Sequence, residues 1–376
     1  MPGDYSNAVN IDIQSIVEYD EIEYAVTSIG DYAFYLCSAL KSITIPESVT
    51  SIQRWSFASC EELTAITIPE TVTSIGLGAF SMCSGLVSFT FPENVTRIEA
   101  LVLSNCKGLT SVTIPEEVTS IGGYAFLGCE GLTSITIPGS VKTIEGGAFS
   151  DCTGLKSISI PDGITSIEAE VFYYCFGLTS IDIPESVTSI GNFAFASCYE
   201  LTSIATPEAV TSIGYAAFLN CLKLTSITIP ESVTSIGEAA FWDCSRLKSI
   251  YIGAKTPPTI GYTTFSLVNR EIPVFVPEGS LDSYVNHIYW GEFGNLREGD
   301  ISTTIIEKEL RTYKVFSSNN QISIINPMLL PITIYDVNGR IISNQYASMT
   351  SSNVTIEMPK GVYILLIGNE SIKVIL

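Results

Sequence analysis

Ten cysteines are the first residues that could carry chemistry. They are Cys37, Cys60, Cys83, Cys106, Cys129, Cys152, Cys175, Cys198, Cys221 and Cys244, each 23 residues from the next. An even number of thiols could form a disulfide framework, and thiolates around one centre could hold zinc. The fixed period argues against both. Residues one period apart in a solenoid occupy equivalent positions and point the same way. Cβ atoms facing each other at about 3.8 Å, as a disulfide needs, are then not offered without distortion. A straight row also cannot converge on one ion. The thiols are expected to be buried as small hydrophobes.

A second periodic set is acidic: Glu47, Glu70, Glu93, Glu116, Asp162, Glu185, Glu208 and Glu231. Neighbours about 5 Å apart repel by about 0.8 kcal/mol in water before screening. Single carboxylates lack the clustered oxygens that calcium takes, so a solvated edge is expected. Catalysis finds no support. The one histidine, His287, has no serine and acid to form a triad with, and it reads as a surface residue. Glu61-Glu62 and Glu116-Glu117 are ordinary pairs on an acidic chain, and no glycine-rich phosphate loop precedes a helix. The expectation is a non-enzymatic protein with no cofactor and no metal. Asn94–Thr96 and Asn353–Thr355 match the glycosylation triplet, a pattern short enough to arise by chance.

Departures from the period are more informative, because the fold does not demand them. Asp182 and Tyr251 interrupt an outward threonine ladder, and Tyr173, Tyr174, Phe176 and Tyr199 add aromatics at adjacent corners, beside Trp242. Aromatics are favoured at interfaces, so these seven are the candidate binding residues. The alternative is that they cover neighbouring coils or the end of the rod.

The elements that position these residues come from the repeat itself. From Val26 a unit runs ten times, to residue 252. Leu40, Leu63 and their equivalents to Leu247 open each unit, and apolar residues follow three and five places on, as Ile43 and Ile45. The alternation suits a strand with Ile43 and Ile45 inward and Thr44 outward. Proline ends the strand, as at Pro46. A β-branched stretch such as Val233–Gly237 makes a second short strand, with glycine after it in most units for a tight bend. Phe, Cys and the next Leu lie three apart, which predicts one helical or 3₁₀ turn pointing all three inward. Ten coils spaced as strands give a rod about 45–50 Å long. The unit at Leu103, which lacks phenylalanine, is expected to be locally irregular.

The ends differ from the repeat. Residues 1–25 read as an N-terminal cap hairpin around Asp20-Glu21, since a solenoid end needs covering. Residues 253–300 read as the C-terminal cap: an aberrant coil around Phe265, a strand in IPVFVP and a helix over Ser280–Trp290. Residues 301–312 read as a linker. Residues 313–376 alternate and are β-rich, with hairpin signals at Asn338-Gly339 and Gly368-Asn369, which suits a small β-sandwich.

The unit IPxxVTSIGxxAFxxCxxL with its LxxIxI strand resembles the BspA-like leucine-rich repeats of bacterial cell surfaces, over about residues 24–252. The resemblance implies a right-handed leucine-rich-repeat solenoid with an adhesion or surface-recognition role. YDVNGR, KGVY and the final strand bearing Lys373 resemble a Por-type secretion C-terminal sorting domain, which implies export and surface attachment.

Composition is consistent with that role. With 376 residues, 46% hydrophobic, the chain can fill a continuous core. Its net charge of −21 repels nucleic acid and anionic membranes. No apolar run is long enough for a spanning helix. The opening MPGDYSNAVN shows no secretory signal, so export implies a signal trimmed away with Met1 in its place. The expected protein is a monomeric, extracellular or surface-exposed adhesin-like binder of host matrix proteins or other cells. A glycan-binding surface protein and a structural surface-layer element are the alternatives.

Overall fold

Equal spacing along the chain becomes lateral pairing in space. In the computed structural model, which describes residues 8–299 and then 314–318, 321–325, 331–336, 340–346, 353–357, 362–367 and 370–375, residues one period apart stand side by side. On one face Ser88–Thr90 pairs in parallel with Ser111–Thr113, and Ser203–Ala205 with Ser226–Ile229. On a second face Ser166–Ile167, Ser189–Ile190, Ser212–Ile213 and Ser235–Ile236 form one four-stranded sheet. Strands of two to four residues are enough because neighbouring coils pair them laterally, into several short sheets of two to five strands. Burial alternates along them: Ile43 is buried, while Ser42 and Thr44 are exposed. The result is a β-solenoid of about twelve turns.

The third side of each coil corrects the helical expectation. No coil has a helix there. Cys60 N–H donates to Phe57 O (3.2 Å) and Leu63 N–H to Cys60 O (3.2 Å), so the three-residue spacing is real. Two residues per coil, however, take left-handed backbone. One lies two places before the phenylalanine, as Trp55 (φ 54°), Tyr124 (φ 55°) and Phe193 (φ 56°). The other directly precedes the cysteine, as Ser59 (φ 62°), Asn105 (φ 58°) and Tyr174 (φ 59°). Each costs roughly 1–2 kcal/mol in a non-glycine residue. The return is intercoil bonding: Trp55, Phe57 and Ser59 N–H donate to Leu77, Ala79 and Ser81 carbonyls of the next coil at 2.8–2.9 Å.

Side chains sent inward make continuous stacks. Phe126, Phe149, Phe172, Phe195, Phe218, Phe241 and Phe265 stack ring on ring, with centroids 5.1–5.9 Å apart. The coil at Leu103 keeps regular backbone, contrary to expectation: Leu103 N–H reaches Ala125 O at 2.9 Å, and Leu101 and Asn105 hold the usual left-handed positions. Leucine only interrupts the rings, and Phe80 instead meets Phe89 edge-on at 5.0 Å.

At the start, strand β1 (Asn10–Asp12) pairs in parallel with Ser42–Thr44, Ile11 opposite Ile43. It is therefore a first rung of the strand ladder, in a region the sequence placed outside the repeat. The hairpin of β2 (Ile16–Tyr19) and β3 (Ile22–Ala25) follows, turning at Asp20 and Glu21. All eight of its strand residues are exposed, and Ile11, Ile13 and Val26 are what packs on the core there.

At the other end Val274–Val276 and Leu296–Glu298 extend the same sheet. The cap's helix, α1, spans only Leu281–Val285, and Trp290–Glu292 is a separate 3₁₀ turn. Tyr284 and Trp290 are fully buried. The Tyr284 hydroxyl donates to Ala254 O (2.6 Å), and Trp290 Nε1–H to Pro258 O (2.9 Å).

Backbone contacts divide the chain into two units, Met1–Arg297 and Glu298–Leu376. Among the described residues the second holds two antiparallel sheets, of three and four strands. Pro331–Asp336 pairs with Ile341–Tyr346, and Val362–Ile367 with Glu370–Ile375. The segments predicted to turn them, at Asn338-Gly339 and Gly368-Asn369, lie outside the described residues, as does the 301–312 linker.

Candidate recognition surface

The turn side of each coil presents side chains that packing does not specify. The left-handed column shows how they are accommodated. Trp55 lies against Gly78 and Tyr124 against Gly147, the residue one coil on in each case, and a Cβ at either glycine would run into the ring. A large side chain at this position therefore leans along the rod over a bare glycine. Tyr124 reaches two coils further along and donates to Glu170 Oε2 at 3.0 Å, which raises its pKa.

Four of the seven candidate residues come together here. Phe176 stacks on Tyr199 at 4.7 Å with planes 6° apart. Tyr174 meets Phe176 edge-on at 5.4 Å, and Tyr173 lies 4.1 Å from Tyr174. Two residues not singled out from sequence extend the group: Phe193, 5.9 Å from Tyr173, and Tyr215, 5.2 Å from Phe193. The six rings run without a break over three coils. Tyr174 and Tyr215 are exposed and the others half-buried. Pairing of the Tyr173 hydroxyl with that of Tyr174, together with desolvation, pushes Tyr173 up to about 12. Phe193 and Tyr215 could have been found by writing one repeat per line. Phe193 then shares the column of Trp55 and Tyr124, and Tyr215 shares that of Ala169 and Asn192.

The other three candidates lie elsewhere. Trp242 occupies Tyr173's column three coils on and is exposed. Asp182 is exposed on the strand face, bridged through its backbone to Ser159. Tyr251 stacks on Phe275 of the cap at 4.9 Å, so its departure from the ladder serves the closing strand.

The reactive residue types have structural partners. All ten cysteines are buried with free thiols. Each thiol from Cys60 on has a carbonyl acceptor one coil back: Cys152 Sγ donates to Phe126 O (3.2 Å), and Cys129 to Leu103 O (3.3 Å). Burial pushes Cys106, Cys152 and Cys221 up to about 12, so thiolate is scarce at neutral pH. His287 Nδ1 accepts from Tyr289 and Trp290 N–H (3.2 and 3.3 Å), and desolvation lowers its pKa. The acidic ladder is exposed, and it bonds coil to coil: Glu70 Oε2 accepts from Glu93 N–H at 2.9 Å. Gly139 interrupts it, and Lys142 Nζ donates to the Gly139 carbonyl at 3.2 Å. Among the described residues no group of three or more His, Cys, Asp or Glu could hold a metal ion, and no helix is long and apolar enough to cross a membrane.

The BspA-type leucine-rich repeat region, as a family, matches residues 13–133, 119–248 and 165–291. The chain belongs to the BspA-type leucine-rich repeat family. Beyond its repeats, residues 301–376 of this BspA-type protein match a domain of unknown function, DUF6383. Among solved structures, the BspA-type chain is similar to a leucine-rich cell surface protein from Faecalibacterium prausnitzii A2-165 (28% identity, 74% of this chain and 90% of that one, TM-score 0.45). It is similar also to a leucine-rich repeat protein from Bacteroides ovatus ATCC 8483 (24% identity, 78% and 93%, TM-score 0.44). A third is the pneumococcal vaccine antigen PcpA (19% identity, 79% and 91%, TM-score 0.49). No curated protein matches the chain.

Proposed function

We propose that this BspA-type protein is a non-enzymatic, adhesin-like recognition protein of the cell surface or extracellular space, binding host matrix proteins or neighbouring cells through its solenoid. The observation that carries this reading is the unbroken run of six rings, Tyr199, Phe176, Tyr174, Tyr173, Phe193 and Tyr215, on a side whose packing asks for none of them. Exposed aromatics supply large contact area at low entropic cost, which suits a protein partner. The ring arrangement favours protein over glycan. Phe176 and Tyr199 cover each other's faces, and the Tyr174–Phe176 and Phe193–Tyr215 pairs stand at 73° and 76°, so these rings do not form one flat platform.

The test is capture of the full chain on arrays of matrix proteins and of glycans. Tyr174→Ala with Tyr199→Ala should cut capture by about 30-fold, the scale of a lost hot spot, and leave melting unchanged. Undiminished capture would remove the cluster as the site. Capture on neither array would favour the surface-layer reading. The C-terminal unit is proposed to direct export and attachment, supported by the YDVNGR and KGVY segments. Deleting residues 313–376 should then abolish surface display of the expressed chain.

A further inference from the structure

Among the described residues the hairpin β2–β3 is a sheet of two strands with no third. Its register sorts its side chains onto two faces. Val17 stands opposite Tyr24 and Tyr19 opposite Ile22, so one face is wholly apolar, with Tyr19 76% and Ile22 53% exposed. On the other face Glu18 stands directly opposite Glu23. Like charges opposed across a strand pair destabilise it. Asp20 and Glu21 (φ 53° and 62°) close the ribbon in the left-handed pair that a tight two-residue turn uses. The first lysine or arginine of the chain is Lys41, so no basic residue within the ribbon balances these four acids. A hairpin serving only as a cover would turn its apolar face to the core.

We propose that this ribbon docks an extended basic segment of a partner protein, which adds to a free edge as a third strand. The edge supplies main-chain hydrogen bonds, and alternate side chains of the partner give specificity. Apolar residues of that strand continue the face of Val17, Tyr19, Ile22 and Tyr24, while its lysines or arginines, on the opposite side, neutralise Glu18 and Glu23. A second copy of this chain fits poorly, because it would set four carboxylates against four more. The inference rests on the hairpin alone and is independent of the aromatic run.

The experiment uses the full chain and a short labelled peptide alternating lysine and valine, with a glutamate–valine peptide as control, read by fluorescence anisotropy. The lysine peptide should bind, the glutamate peptide should not, and amides of residues 16–25 should gain exchange protection. Tyr19→Ser with Ile22→Thr should weaken binding about tenfold or more. Glu18→Gln with Glu23→Gln should weaken it and flatten its salt dependence. Both variants should melt like the parent, because the residues are exposed. Unchanged binding in either variant would place the peptide elsewhere on the acidic surface and overturn the proposal. Equal binding of both peptides would overturn the charge argument. A parent dimer abolished by Tyr19→Ser with Ile22→Thr would make the occupant a second copy and overturn the choice of partner.

Discussion

The two ends of the solenoid solve the same problem differently. At the C-terminal end Trp290 and Phe293 are buried against Phe265, Tyr284 is buried against Trp290, and two buried polar tips find backbone carbonyls. At the N-terminal end the core is met by Ile11, Ile13 and Val26, and no strand residue of the hairpin beyond them is buried. One closure contributes to stability. The other leaves an apolar face in water, which stability alone does not account for.

That contrast can be broken or sharpened by experiment. The largest effect should come from pH, which acts on the coils between the ends. Cys106, Cys152 and Cys221 have folded pKa values near 12, above the ordinary 9.0. Their contribution is therefore complete below pH 9.0 and is lost progressively toward about 12, as unfolded thiols ionise first. Urea midpoints should fall steadily across that window, and a flat profile would mean the thiols are not buried as described. Next is Trp290→Ala, which should cost about 3–5 kcal/mol, measured by urea unfolding and roughly constant with pH below 9.0. Gly147→Ala should cost about 1–2 kcal/mol for its left-handed backbone, and adding Tyr124→Ala should recover whatever part comes from the displaced ring. Phe149→Leu should cost no more than about 1.5 kcal/mol, because Leu103 already shows the coil tolerating leucine. The smallest effect is Tyr19→Ala, within about 0.5 kcal/mol in the same assay. If Tyr19→Ala cost as much as Trp290→Ala, the two ends would be equivalent and the contrast would fail.

The interior was legible because a strict period leaves one register: leucine, isoleucine, phenylalanine and cysteine could only stack on their own kind. The turn side was not. A spacing of three between Phe and Cys belongs equally to a 3₁₀ turn and to the actual chain, whose left-handed residues are seldom glycine and so give no sign in sequence. Strand β1 was missed because the inserted hairpin pushes Ile11 out of period, although the hairpin itself was marked by Asp20-Glu21. Four of the candidate aromatics were found because they break columns. Phe193 and Tyr215 were passed over because their columns already vary from coil to coil. Tyr251 could not be interpreted without Phe275, which lies past the last repeat.

The bonds running from each coil to the residue 22 or 23 places away also carry an evolutionary consequence. Every coil offers its neighbour the same socket, so whole coils can be copied or lost in the gene without creating a new junction to be solved. Such a protein can lengthen like a ruler, in steps of one strand spacing, sliding its two end-regions apart while each keeps its own shape.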